Sequence, residues 1–181
     1  MELIRTPLDG CLVLEPNVFF DKRGSFQEIY QKKQFNQVLG YEVNFVQDNE
    51  SYSTKGTLRG LHFQKGEFAQ AKLVRVTQGT VLDVAVDIRK NSPSFGKYFS
   101  IELSAENHRQ LFLPRGFAHG FVVLSDSAIF SYKCDNYYNK EAEGGIIFND
   151  PELSINWQLS MDQIQISDKD SKLPQFKSLK K

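Results

Sequence analysis

Short runs that alternate apolar and polar residues, each closed by Gly, Pro, Asn or Ser, restrict this chain to a β-sheet architecture. Residues 11–16 read as a strand stopped by proline, and residues 25–30 alternate in the manner of a half-buried strand. Residues 45–52 return to strand, residues 72–77 and 98–103 repeat the alternation, and residues 80–88 run apolar with Asp83 and Asp87 embedded. Gln78-Gly79 is a turn candidate. Residues 110–113 lead into Pro114 and Gly116, and residues 120–124 and 128–133 look like strands paired across Ser125-Asp126-Ser127. A helical period shows at residues 32–39, where Phe35, Val38 and Leu39 share a face and Gly40 supplies a stop. Residues 160–166 read as a short helix or loop, and the Lys-rich tail as a ragged end. Many short strands with closely spaced turn signals predict a sandwich or barrel.

A length of 181 residues fits one domain, and no repeat, low-complexity segment or linker divides it. A single domain is therefore expected over residues 1–181, with its core at about 10–175. The 22 basic residues balance the 22 acidic ones, which gives no support to nucleic-acid or membrane-surface binding. Cys11 and Cys134 have neither metal-site spacing nor a secretory context, so free thiols in a reducing compartment are expected. The N-terminal Met1-Glu2-Leu3-Ile4-Arg5 lacks a basic-then-apolar signal pattern. No apolar run approaches the roughly 20 residues that cross a bilayer. The expected location is the cytoplasm.

The chemistry is concentrated in Leu58-Arg59-Gly60-Leu61-His62-Phe63-Gln64 and Pro114-Arg115-Gly116-Phe117-Ala118-His119. These segments resemble the two hairpins that hold a metal in cupin barrels, which supply His-x-His with a Glu, and Pro-x-Gly-x-x-His. Here the first pair reads His62-Phe63-Gln64, and Lys72 stands seven positions before Gly79, where the Glu would be. An ammonium among the would-be ligands repels a divalent cation, so no metal is expected. Proton transfer on an anionic organic substrate suits such a pocket better. A neutral imidazole, His62, is a candidate general base near pH 7. A base of this kind needs an orienting carboxylate, and spacing leaves Asp83, Asp87, Asp168 and Asp170 all open. Lys72 suits the stabilisation of an oxyanion. Tyr132 is a candidate acid, Tyr137 and Tyr138 are candidate stacking groups, and Arg23 offers paired donors for a diphosphate. No Walker loop or Gly-x-Gly-x-x-Gly is present, so any phosphate is held by side chains.

Further segments extend the pattern: Phe20-Asp21-Lys22-Arg23-Gly24, Phe45-Val46-Gln47-Asp48-Asn49, Lys72-Leu73-Val74-Arg75, Asp83-Val84-Ala85-Val86-Asp87-Ile88-Arg89, Tyr132-Lys133 with Asn136-Tyr137-Tyr138, and Ser167-Asp168-Lys169-Asp170. Together and in this order, the chain resembles the dTDP-4-dehydrorhamnose 3,5-epimerase family. The resemblance implies an all-β, cupin-type double-stranded β-helix, a jelly-roll barrel with a few short helices. It implies His62 as base, Asp170 as its carboxylate partner, Tyr132 as acid and Lys72 facing the sugar ketone. It implies Arg23, Glu28, Gln47, Asn49, Arg59, His119, Tyr138, Glu143 and Lys169 as lining of the nucleotide-sugar site. A homodimer without metal or cofactor, acting on a dTDP-4-keto-6-deoxy sugar, is expected on the same ground. The alternatives are an enzyme of the same fold that epimerises C3 or C5 alone or moves the ketone, and, more remotely, a metal-dependent or non-catalytic cupin.

Overall fold

The computed structural model describes residues 2–180. One sheet has the order β1 (Glu2–Arg5), β2 (Leu12–Glu15), β10 (Gln110–Leu113), β7 (Lys72–Gln78), β12 (Ser127–Cys134) and β5 (Gln47–Thr54). The second has the order β13 (Glu143–Gly145), β6 (Leu58–Gln64), β11 (Phe117–Val123), β8 (Thr80–Asp87) and β9 (Tyr98–Ser104). A separate hairpin joins β3 (Val18–Asp21) to β4 (Gly24–Gln27), and the single α-helix among the described residues, α1, spans Lys32–Leu39. Strand pairing within each sheet is antiparallel throughout.

The two sheets face each other across one apolar layer. Val13, Val74, Leu111 and Phe130 enter it from the first sheet, and Val81, Ala85, Phe117 and Phe121 from the second. The outer face of the second sheet carries Leu82, Val84, Val86 and Val122, and the C-terminal third covers it with Phe148, Leu153, Trp157 and Phe176. Strand β8 is thus buried on both faces, which is why its sequence is apolar at successive positions on either side of Asp83. Helix α1 covers part of the first sheet by seating Phe35 against Leu14, Leu73 and Phe112. Its start is capped by the Gln31 side chain, which accepts from the Gln34 N–H, and its end by Gly40 at φ 79°.

Four sequence expectations need correction. The sheets remain two separate hydrogen-bonded units and do not close into a barrel. The segments around 120–124 and 128–133 do not pair: β11 lies between β6 and β8, while β12 lies between β5 and β7. A turn signal marks a change of direction, and here the chain uses it to cross from one sheet to the other. The same holds at Gly79, between β7 and β8. It adopts φ +75°, and a Cβ there would lie 2.0 Å from the Ser127 carbonyl oxygen, so only glycine fits. The segment at 25–30 is not half-buried; its hairpin leaves Phe19, Phe20 and Phe26 exposed at 62%, 75% and 71%. Finally, the tail is not ragged. Its 3₁₀ turn Phe176–Lys180 buries Phe176 in the outer core. Among the described residues, no helix is long and apolar enough to cross a membrane.

Candidate active site

The site is built around a fault in β6. Strict alternation would point Arg59 and His62 to opposite faces of the sheet. Against β11, however, His62 pairs with His119 and Arg59 with Phe121, so β6 carries one residue more than its partner over this stretch. This is a β-bulge, and it is centred on Gly60, at φ 133°. A Cβ at Gly60 would sit 2.6 Å from Gly120 Cα, which excludes any other residue. The extra residue brings Arg59 and His62 to the same cavity while Leu58, Leu61 and Phe63 all enter the outer core.

The same bulge frees the Gly60 N–H, which donates to Asp170 Oδ2 at 3.3 Å. Asp170 Oδ1 lies 2.7 Å from His62 Nε2. Burial pushes the Asp170 carboxyl upwards, but the bond and charge of His62 and the Gly60 N–H outweigh it and hold it below its ordinary value. The ionised carboxylate therefore accepts a proton-bearing Nε2, and the other ring nitrogen of His62 is left for chemistry. Asp170 reaches this position on a short 3₁₀ turn whose start is tied by its own N–H to Ser167 Oγ at 3.1 Å.

Beside this pair stands a second one. His119 is the direct cross-strand partner of His62, and its Nε2 lies 3.1 and 2.9 Å from the two oxygens of Asp83. The facing sheet supplies different groups. Lys72 on β7 has its Nζ 5.6 Å from the centroid of the Tyr132 ring. Burial lowers the Lys72 ammonium, with Cys134, Asp83 and Glu143 opposing more weakly. Burial raises the Tyr132 phenol, Cys134 adding to the effect and Arg59 opposing it. Tyr132 therefore carries its proton at neutral pH. Asn49 lies opposite Tyr132 in the β5–β12 register, and its Nδ2 donates to Cys134 Sγ at 3.7 Å. Gln47 Oε1 accepts the Tyr138 N–H at 3.2 Å.

Two adjoining cavities of about 310 Å³ each share His62, Lys72 and Tyr132. One extends past Gln47, Asn49, Tyr138 and Glu143; the other past Arg59, His119, Lys169 and Asp170. Glu143 accepts from the Tyr138 hydroxyl at 2.9 Å and from Lys169 Nζ at 2.6 Å. Burial raises the Glu143 carboxyl, but these two bonds outweigh it and hold it low.

Not every expected residue arrives here. Arg23 is exposed on the β3–β4 hairpin, paired with Asp21 at 2.6 Å, and borders a separate surface groove with Phe19, Phe20 and Phe26. Glu28, just beyond the hairpin, is exposed and lines neither cavity. The four carboxylates left open by spacing separate cleanly. Asp170 binds His62 and Asp83 binds His119. Asp168 is exposed, and Asp87 is bound by Arg89, Ser92 and Ser94 at the end of β8. Sequence reasoning passed over Gln64, Phe130 and Cys134 as lining, although each lies two positions from His62 or Tyr132 on the same strand. The Cys134 thiol is pushed up to about 11, by burial first, with Lys72 opposing. Among the described residues no three His, Cys, Asp or Glu side chains converge to hold a metal ion.

Two facing antiparallel sheets with a carboxylate-bound imidazole, an ammonium and a phenol about one cavity define a cupin-like protein equipped for proton transfer. A family model described as dTDP-4-dehydrorhamnose 3,5-epimerase matches residues 5–178, and the chain belongs to that family. It is 55% identical over 173 residues to the dTDP-4-dehydrorhamnose 3,5-epimerase of Escherichia coli (strain K12), covering 96% of this chain and 93% of that one. The crystal structure of dTDP-4-dehydrorhamnose 3,5-epimerase from Elizabethkingia anophelis NUHP1 superposes with a TM-score of 0.96 at 56% identity, covering 98% of this chain and 97% of that one. The Legionella pneumophila dTDP-6-deoxy-D-glucose-3,5-epimerase, solved in complex with dTDP-4-keto-L-rhamnose, gives a TM-score of 0.92 at 48% identity, covering 96% and 92% of the two chains.

Proposed function

We propose that this protein is a dTDP-4-dehydrorhamnose 3,5-epimerase, an isomerase converting dTDP-4-dehydro-6-deoxy-D-glucose to dTDP-4-dehydro-L-rhamnose. The observation that carries the reading is the His62–Asp170 pair on one wall of a cavity whose opposite wall presents Tyr132. A C4 ketone acidifies the hydrogens on C3 and C5. With Nε2–H held by Asp170, His62 takes one of these on its other ring nitrogen. The electron pair moves to the ketone oxygen, and the resulting enolate is stabilised by Lys72, an effect worth most in a site that excludes water. Tyr132 returns a proton from the opposite face and inverts the carbon; once His62 has given its proton to solvent and the Tyr132 phenolate has regained one, a second round inverts the other. His62 and Tyr132 lie on opposing sheets, so the removed and returned protons travel on opposite sides of the sugar ring. Arg59 and Lys169 supply positive charge for the diphosphate. Each step is a proton transfer, so no redox cofactor enters the scheme.

The homodimer belongs to the same proposal. Arg23 and Glu28 match substrate-lining positions, yet within one chain they stand away from the cavity on a hairpin with three exposed phenylalanines. Contact with a partner copy would bury those rings and bring Arg23 and Glu28 to the partner's substrate. The whole chain then acts as one epimerase domain in the cytoplasm.

The test is incubation with dTDP-4-dehydro-6-deoxyglucose in deuterated water, with product analysis by NMR. Deuterium at both C3 and C5 of an inverted product is expected. Label at one carbon alone would sink the double epimerisation, and no label at either would sink the epimerase reading.

A further inference from the structure

Asp83 is a buried charge that the mechanism above does not use. It is 0% exposed, on the inward face of β8 between Val81 and Ala85. Its cross-strand neighbours are Phe121 and Ile101. A carboxylate among such side chains costs several kcal/mol unless it is paired. Asp87, four residues further along β8, shows what a structural carboxylate collects: Arg89, Ser92 and Ser94 side chains and a backbone N–H. Asp83 has a single hydrogen-bond partner among the described residues, His119 Nε2, which both of its oxygens face.

We propose that Asp83 is a positioning residue for the epimerisation, acting through His119. With Nε2–H committed to the carboxylate, the His119 ring is held in one tautomer and one orientation. Its Nδ1 is then the nitrogen presented to the cavity, beside the working nitrogen of the cross-strand neighbour His62. The His119 ring also stacks on Phe130, with centroids 5.9 Å apart, so both its plane and its polar edge are fixed. The substrate thus meets two imidazoles, each locked through Nε2 to a carboxylate. His62, the more exposed, carries the proton, and His119 holds a substrate oxygen in place. The arrangement is a repeat, one strand over, of the logic that orients His62. Asp83 also acts electrostatically on Lys72, so the alternative is that it serves Lys72 or the fold instead.

This inference rests on the epimerase reading, and the test separates the two. Asp83→Asn, His119→Ala and the double variant are compared with wild type in kcat/KM for the keto-sugar nucleotide and in thermal melting. Asp83→Asn alone is expected to lower kcat/KM roughly 10- to 100-fold, the range for one buried charge-assisted hydrogen bond. Added to His119→Ala it is expected to cost less than about threefold, because its route to the substrate is already gone. Full additivity of the two changes would overturn the proposal. A second readout needs no variant: ¹⁵N NMR of the wild-type protein is expected to show His119 Nε2 protonated, and an unprotonated Nε2 would overturn it as well. A wild-type protein without activity on the keto-sugar would sink the functional reading, while the ¹⁵N result would still decide whether Asp83 sets the state of His119.

Discussion

The two walls of the cavity treat their ionisable groups in opposite ways. On the wall made by β6, β8 and β11, each imidazole is gripped by a carboxylate: His62 by Asp170 at 2.7 Å and His119 by Asp83 at 2.9 Å. On the wall made by β5, β7 and β12, burial governs, lowering the Lys72 ammonium and raising the Tyr132 phenol. A carboxylate that accepts from one ring nitrogen fixes the tautomer and orientation of an imidazole, so it leaves the other nitrogen free to take a proton. Removal of water penalises the charged form, so it keeps a phenol protonated and ready to give one. The proposed base and acid are thus prepared by two different physical means within one site, orientation by a carboxylate on one wall and burial on the other.

The largest effect is expected where the first wall is broken. His62→Asn should lower kcat/KM by roughly 10²–10⁴-fold, the usual loss for a general base. Asp170→Asn should reproduce most of that loss with His62 intact, since an amide cannot stabilise the imidazolium as a carboxylate does. Calorimetric affinity for dTDP should stay within a few-fold in both, because neither group is proposed to hold the nucleotide. Full activity in Asp170→Asn would show that the pairing is incidental and would remove the contrast between the walls.

Breaking the second wall should split two measurements that the first keeps together. Tyr132→Phe leaves the base in place, so solvent deuterium should still enter the substrate. The hydroxyl that reprotonates the far face is gone, and inversion should fall by roughly 10²-fold. NMR of the recovered substrate and product reports both. If exchange and inversion decline in parallel, Tyr132 is not the donor of the second half-step.

What could be read in the sequence follows the same division. Period-two patterns placed most of the strands, and the motif segments named His62, Lys72, His119 and Tyr132, because each is a local property of a few residues. Pairing was not local. The runs on either side of Ser125-Asp126-Ser127 look like a hairpin, yet they belong to different sheets, since turn chemistry does not record which strand lies alongside. Carboxylate assignment was equally hidden. Asp83, Asp87, Asp168 and Asp170 are chemically alike, and only the bulge at Gly60 and the 3₁₀ turn at Asp170–Lys172 decide which of them meets His62. The resemblance to the family supplied Asp170, but nothing in the chain announced that Asp83 would meet His119. Arg23 and Glu28 show the remaining gap: the resemblance names them as lining, yet within one chain they stand away from the cavity.

The smallest expected effect on rate is at Asp87, and it sharpens the comparison by serving as a control on the first wall. Asp87 shares β8 with Asp83 and is equally buried, but its partners are Arg89, Ser92 and Ser94, none of which lines the cavity. Burial alone would raise its carboxyl; the Arg89, Ser92 and Ser94 bonds reverse this and hold it at about 2, below its ordinary 3.8. A carboxyl depressed in the folded state stabilises fully above its unfolded value and loses that contribution as pH falls through its folded value. The contribution is about 2 kcal/mol, present above about pH 4 and lost progressively towards pH 2. Asp87→Asn should therefore melt at a lower temperature than wild type at neutral pH. The gap should narrow as the pH drops through that window, while kcat/KM at pH 7 stays within about twofold. A stability gap that ignores pH would mean that packing, not ionisation, is what Asp87 supplies. A loss of activity comparable to that of Asp170→Asn would mean that every carboxylate on this wall, and not only those bound to an imidazole, serves the reaction.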